Sequence, residues 1–383
     1  MKHEDYTVGW ICALPTEMAA AVGMLDHRHN ALPSRPRDNN NYAFGRIKDH
    51  NVVIACLPAG GTSTISAARV AAQMHSTFPK LRFGLMAGTG GGVPSEEHDI
   101  RLGDVVVSKP TENFGGVIQY DFGKTVQEGK FMRTGSLNKP PEILLSALTY
   151  LEATHMVEGQ QLAIYLSKMI EKYPHMAAPF ASPGILHDSL YEADYDHPKG
   201  PALCSQCDSS KLIVREPRKS GDPIVHYGSI ASGDQVMRHG ATRDKLRREL
   251  DILCFETEAA GLMDNFPCLV VRGICHYADS HKSEQWQPYA AAVAAAYAKE
   301  LLYIVSECAV EDTRPVISQA DKGPREGVGQ KRRKVCLTDE EESDESSEDE
   351  DNGYQFRPGR CYKCKECNPL PKTQMLVMLT FGI

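Results

Sequence analysis

Two observations along residues 6–305 predict an α/β fold. Apolar runs of strand length alternate with segments of helical periodicity. Proline, glycine or small-residue junctions hand several of those runs to the helix that follows. Residues 6–14 read as a buried strand, and Pro15-Thr16-Glu17 opens a helix. Residues 51–57 are a second strand, which Gly60-Gly61 passes to a helix beginning near Thr62. That helix carries Ala67, Ala68, Ala71 and Ala72, small enough for close packing on a sheet. A third strand at 81–87 ends in Gly88-Thr89-Gly90-Gly91-Gly92, read as a glycine-rich turn. Shorter strands follow at 104–107, 225–231, 253–255 and 268–274. The last helix, about 288–308, is alanine-rich with Tyr297, Leu301 and Ile304 at helical spacing.

Residues from about 125 to 221 interrupt the rhythm with helical patterns at 142–151 and 160–173, then a polar loop containing Pro183, Pro198, Pro201 and Pro217. An insertion of that length is either a lid or packing material over one end of the sheet. The expected organisation is one domain over 6–308 that includes this insertion, then a disordered charged tail over 309–383 with a short cysteine-rich segment. The stretch 310–352 has too little apolar surface to offset the entropy of ordering.

Charge is distributed unevenly. Residues 339–351 hold ten acids and no base, so a net charge of −8 leaves about +2 on the remainder. A nearly neutral body with an acidic tail argues against nucleic acid as a partner, while the tail offers protein partners a charged surface. The run 290–305 is broken by Lys299-Glu300 and is too short to span a bilayer. With no secretion-type N-terminal pattern, a soluble cytoplasmic protein is expected, and the knot Lys331-Arg332-Arg333-Lys334 also fits nuclear import.

Of twelve cysteines, Cys12, Cys56, Cys254, Cys268 and Cys275 lie in or beside apolar runs and read as buried thiols in a reducing compartment. Cys204 with Cys207, and Cys361 with Cys364 and Cys367, have polar neighbours. Neither group holds four ligands at structural-zinc spacing, so no metal or other cofactor is assigned.

The most informative stretch is Phe255-Glu-Thr-Glu-Ala-Ala-Gly261, followed by Arg272-Gly-Ile-Cys-His-Tyr-Ala-Asp279. It places two acids before what reads as a small-residue helix, then an apolar strand ending in polar groups. A buried Glu258 at such a junction can accept hydrogen bonds from a vicinal diol such as that of a ribose, or simply cap its helix. If the strands are parallel, their carboxyl ends share one crevice. Glu17, the turn around Thr89, Ser232-Gly-Asp-Gln-Val-Met237 and the 258–279 segment then converge there.

The set resembles the purine nucleoside phosphorylase and nucleosidase superfamily. The matching segments are Val8-Gly-Trp-Ile-Cys-Ala-Leu-Pro-Thr-Glu17, Ala87-Gly-Thr-Gly-Gly-Gly-Val93, Leu102-Gly-Asp-Val-Val-Val107, Ile230-Ala-Ser-Gly-Asp234, Glu256-Thr-Glu-Ala-Ala-Gly261 and Val271-Arg-Gly-Ile-Cys-His-Tyr-Ala-Asp279. The chain looks most like methylthioadenosine/S-adenosylhomocysteine nucleosidases and related fungal domains. The resemblance implies a three-layer αβα sandwich with a mixed central sheet, usually assembled as a homo-oligomer. It implies N-glycosidic cleavage of an adenosine-like nucleoside or nucleotide. Glu17 would activate water, Thr89 and Gly90 would hold water or sugar, and Glu258 would bind the ribose. Val236 and Met237 would contact the purine, and Thr257 and Asp279 fall among the binding residues.

The sequence departs from the pattern at two of these positions. His276 stands where the family places its general-acid aspartate, and Thr257 where nucleosidases place methionine. Histidine can donate a proton near neutral pH, so His276 is paired with Glu17 as the catalytic couple, while Asp279, three residues on, reads as a structural acid rather than a replacement catalyst because the offset changes its aim. Met86 and residues 15–19 lack the arginines with which many phosphorylases of the superfamily bind phosphate, which favours water as nucleophile. Two other readings stay open: a nucleoside-sensing module that has lost its acid, and a phosphate-dependent phosphorylase.

Overall fold

The computed structural model describes residues 1–198 and 204–306 together with positions 310, 313 and 315. In chain order these form β1 (Val8–Cys12), α1 (Pro15–Met24), β2 (His27–Arg28), β3 (Tyr42–Ile47), β4 (His50–Cys56), α2 (Thr64–Thr77), β5 (Phe83–Gly92), β6 (Val105–Ser108) and β7 (Val117–Gln119). There follow β8 (Gly123–Thr125), β9 (Phe131–Arg133), α3 (Glu142–Glu158), α4 (Leu162–Lys172), β10 (Val225–Ser232), α5 (Gly240–Leu250), β11 (Ile252–Glu256), β12 (Cys268–His276) and α6 (Gln287–Ile304). The expected tail begins later than position 309, since Val310 is buried in the core with α6 and the Thr313 carbonyl oxygen accepts from Arg82 at 2.7 Å; its basic knot and Cys361, Cys364 and Cys367 lie outside the described residues. None of the described helices is long and apolar enough to cross a membrane.

Ten strands form one mixed sheet in the order β11-β10-β6-β12-β5-β1-β4-β3-β2, with β7 also paired to β10. The centre is parallel: β1 pairs with β4 and β5, and β12 with β5. β6 and β12 are antiparallel, as are β3 and β4. Central strands are buried on both faces, which explains their nearly unbroken apolar runs. Alternation still sorts the side chains. Trp10, Leu85 and Val271 face a core shared with α1, α3, α4 and α6. Ile11, Met86 and Val270 face a second core beneath α2. The result is the αβα sandwich with a mixed sheet that the sequence predicts. Each large side chain buried in these cores stabilises the fold by about 1.5–3 kcal/mol.

Pro15 sits in the first turn of α1 with Glu17 at its third position. Ser63 caps α2 by accepting the Ser66 N–H. α6 lies against β12 so closely that a β-carbon on Gly273 would stand 1.9 Å from the Ala290 carbonyl oxygen. The alanines of α6 permit that approach.

Two expectations change, and one open alternative is decided. The glycine-rich segment is not a turn: β5 continues through Gly92 and pairs with β12 as far as His276. Its glycines are required by neighbours, since β-carbons at Gly88, Gly91 and Gly92 would meet Glu17, His276 and Ile274 at 2.5–2.7 Å. The small-residue helix after Glu258 is one 3-10 turn, Ala259–Gly261, because α2 crosses there and a β-carbon on Gly261 would lie 2.0 Å from the Thr64 carbonyl oxygen. Within the insertion, α3 and α4 are packing material: Leu144, Leu148, Leu151, Leu162 and Met169 are buried in the core with α1 and α6.

Candidate active site

The carboxyl ends of β1, β5, β11 and β12 open into a cleft of about 280 Å³, near the lower end of the roughly 300–1,000 Å³ typical of ligand sites. Glu17, Thr89, Gly90, Val236, Met237, Thr257, Glu258 and His276 all line it. A larger cavity of about 420 Å³ beside Asp104 and Arg218 is less suited to chemistry, because those charges neutralise each other at 2.6 Å.

Glu17 is held by α1 and β5 together. One carboxylate oxygen accepts the Ala13 and Leu14 N–H groups at 2.8 and 3.1 Å, at the start of the helix. The other accepts the Thr89 N–H at 2.7 Å and the Thr89 hydroxyl at 3.0 Å. These four bonds use the carboxylate's approximately four acceptor sites. A water or sugar hydroxyl therefore reaches Glu17 by taking the place of the Thr89 hydroxyl, the one mobile donor of the four.

Glu258 lines the same cleft and is nearly buried. The Thr257 hydroxyl donates to one of its oxygens, and Arg272 lies 3.3 Å from the other. Burial raises its pKa, Arg272 opposes this and Glu256 adds to it, leaving Glu258 near 7. Glu256 also borders the cleft, but its carboxylate is already engaged. It accepts the Glu258 and Ala259 N–H groups and pairs with Arg272. Arg272 is fully buried behind the cleft, and its guanidinium also reaches the Thr89 carbonyl oxygen at 3.3 Å. Burial acts against its charge, but Glu256, Glu258 and Glu17 outweigh this and hold it protonated.

His276 ends β12. Its Nδ1 accepts the Ala278 N–H at 3.0 Å, which leaves the ring proton on Nε2. Burial, reinforced by Lys282 and Arg238, pulls its pKa down to about 3. The ring is therefore neutral at physiological pH: it can donate a hydrogen bond but holds no acidic imidazolium proton. Ala278 has φ of 51°, so the backbone makes this contact in a conformation that costs a non-glycine residue about 1 kcal/mol.

Asp279 does not line the cleft. It faces Arg243 at 3.7 Å and accepts the His281 N–H. Asp234 fastens the Ser232–Asp234 turn to the start of α2 by accepting the Thr64 N–H at 2.9 Å, which sets where Val236 and Met237 lie. Phe255 adds a third apolar wall. Residues beyond the sequence-based set are Lys282, Glu284 and Gln287 in the cleft lining, with Glu256 and Arg272 supporting it. Arg272 had a visible signal: a lone charge inside an apolar strand needs a buried partner.

The phosphorylase superfamily model matches residues 7–309. A nucleotide-binding leucine-rich repeat (NLR)-like protein of Hyaloscypha variabilis is 47% identical over 319 residues, 82% of this chain. The chain spans only 31% of that relative's length. A 5′-methylthioadenosine/S-adenosylhomocysteine nucleosidase of Mycobacterium tuberculosis is 24% identical over 309 residues, covering 78% of this chain and 96% of the relative. An ATP nucleosidase of Escherichia coli is 24% identical over 297 residues, covering 74% of this chain and 48% of the relative.

Proposed function

The chain belongs to the phosphorylase superfamily, and on that premise we propose that it is a purine nucleosidase cleaving the N-glycosidic bond of an adenosine-like nucleoside or nucleotide with water. One observation carries the reading: Glu17 and Glu258 line a single cleft whose remaining walls, Val236, Met237 and Phe255, suit a base. The two nucleosidase relatives act on adenosines with different 5′ groups, which supports the shared adenosine core rather than either substituent.

The ribose hydroxyls bind Glu258 in place of the Thr257 hydroxyl. Water sits between Glu17 and C1′. As the bond from C1′ to the base breaks, positive charge spreads over the ribose, and the nearby carboxylates stabilise it. Water adds to C1′ and gives its proton to Glu17. His276 supplies an Nε2–H hydrogen bond to the departing purine, whose proton comes from solvent. Among the described residues lining the cleft, Lys282 is the one cation, and Glu17 repels phosphate, so water rather than phosphate is the nucleophile. Homo-oligomer assembly, which rests on the family resemblance, and protein partners for the tail, which rest on its charge, are part of this proposal.

The test is chromatographic detection of free base from adenosine, methylthioadenosine, inosine and adenine nucleotides, with and without phosphate. Wild type should release base without phosphate, and Glu17→Gln and Glu258→Gln should each lose about 100-fold or more. Absence of base from every substrate at micromolar enzyme would refute hydrolysis. A second reading, a nucleoside-binding module, is favoured by the neutral His276. It predicts saturable binding of the same nucleosides without base release.

A further inference from the structure

The cysteine pair at 204 and 207 gains partners in three dimensions. The ligand atoms of His197, Cys204 and Cys207 lie within 4.8 Å of one another, and both thiols are free. His197 Nδ1 contacts the Pro198 carbonyl oxygen at 2.8 Å, while its Nε2 is shielded from solvent and has no hydrogen-bond partner among the described residues. A ring that donates Nδ1–H to a backbone carbonyl presents Nε2 as a lone pair, which is how metal-binding histidines are oriented.

His281 lies beside this group. Its ring centroid is 5.3 Å from that of His197 and it stacks on Tyr191 at 4.1 Å. Both of its ring nitrogens are shielded and have no hydrogen-bond partner among the described residues. Three buried imidazole nitrogens without partners among the described residues, gathered at two free thiols, are anomalous in a folded protein, where such groups are normally satisfied.

We propose that His197, Cys204 and Cys207 bind a zinc ion, with His281 placed to supply the fourth ligand. Two sulfurs and two imidazoles form a closed tetrahedral set without an open position, so the ion is structural. Two thiolates neutralise its charge. A bound cation would displace the thiol protons to solvent.

The site clamps two parts of the chain together. The His197 N–H donates to the Ser280 hydroxyl at 2.9 Å, which in turn donates to Asp196 at 3.1 Å. The Cys204 thiol faces the His281 carbonyl oxygen at 4.0 Å. Segment 279–282 follows directly on His276 and carries Lys282 of the cleft wall. Zinc would thus fix the later part of the insertion against the wall of the active site, an arrangement independent of which nucleoside, if any, is cleaved.

The experiment is elemental analysis of the full chain purified under reducing conditions without chelator, with cobalt substitution as a second measurement. Wild type should carry about one zinc per chain, falling below about 0.1 in Cys204→Ser/Cys207→Ser. Cys361→Ser/Cys364→Ser/Cys367→Ser should keep its zinc. Cobalt-loaded wild type should show sulfur-to-cobalt charge transfer and the intense visible bands of a tetrahedral site, a readout that does not depend on a variant folding. His281→Ala should weaken zinc binding about 10-fold or more, and unchanged affinity would remove His281 from the ligand set. Wild type that takes up neither metal after reduction, zinc lost only with the tail cysteines, or a Cys204–Cys207 disulfide that persists under reducing conditions would overturn the site.

Discussion

Lowering the pH should empty the nucleoside cleft, and the environment of Glu258 sets the range. A vicinal diol donates two hydrogen bonds, and only the ionised carboxylate offers both oxygens as acceptors. Burial, partly opposed by Arg272, moves Glu258 from the ordinary 4.5 to about 7. At that value roughly 90% of the carboxylate is ionised at pH 8 and roughly 1% at pH 5. If the ionised form alone binds ribose, Kd rises about 90-fold across this interval, or about 2.7 kcal/mol. His276, held near 3, does not titrate in this window, and Asp279 faces Arg243 outside the cleft. The loss of affinity should therefore track the protonation of Glu258.

The assay is calorimetry with a C-nucleoside analogue of adenosine, whose carbon–carbon glycosidic bond cannot be hydrolysed. At pH 7 binding should release about half a proton per site, measured by repeating the titration in buffers of different ionisation enthalpy. Stability moves the opposite way. Because the folded pKa is raised, the contribution from protonated Glu258 is fully present below about 4.5 and is lost as pH rises through about 7, about 3 kcal/mol in all. Glu258→Gln should bind weakly at every pH and lose this component of the stability profile. A wild-type Kd that changes less than about 3-fold between pH 5 and 8 would refute ribose recognition by ionised Glu258.

Two further perturbations test the supports of the cleft. Gly88→Ala places a β-carbon 2.6 Å from the Glu17 carboxyl carbon. It should cost about 1–3 kcal/mol and, by displacing Glu17, lower kcat about 100-fold; an unchanged kcat would show that the seat of Glu17 is immaterial. Arg272→Met strands Glu256 and Glu258 without their counter-ion, at about 3–5 kcal/mol. Thermal melting should show Tm lower by roughly 6–15 °C, partly restored by adding Glu256→Gln. A Tm within about 2 °C of wild type would mean the buried pair contributes little.

What the sequence reveals here depends on whether a residue's role is local. Strands 6–14 and 51–57 were legible because central parallel strands are apolar on both faces, and the first lies between β4 and β5 as such a strand must. Gly88–Gly92 misleads because its composition matches a turn, whereas the reason for glycine is the position of Glu17, His276 and Ile274 on other elements. The antiparallel strand β3 carries polar and glycine positions, Gly45 and Arg46, and leaves too weak an alternation to be read. The cleft was legible as a set of motifs, yet the balance of charge within it was not. That balance is the pairing of Arg272 with Glu256 and Glu258, 16 and 14 residues away. His281 stands 77 residues from Cys204, so local spacing contains no trace of that neighbourhood.

The same burial has opposite consequences for the two residues that could end β12. Desolvation disfavours whichever form is charged. Burial pushes an aspartate in this position toward its protonated form, against the opposing pull of Lys282 and Arg238, and that is the form a general acid needs before it gives its proton to a leaving purine. A histidine is pushed toward the neutral ring, and here Nδ1 is already committed to the Ala278 N–H. The cleft that prepares an aspartic acid to donate therefore disarms His276, while Glu258 and the apolar walls remain able to bind. His276→Asp should raise base release by about 100- to 10,000-fold, the ordinary range for a positioned general acid. The analogue's Kd should change by less than about 10-fold, because the ribose contacts are untouched. Single-turnover base release and calorimetry on the same two proteins separate these effects. Equal base release from both would show that proton delivery does not limit the reaction. A His276→Asp protein that binds the analogue normally and still releases no base would place the obstacle at Glu17 and its water instead.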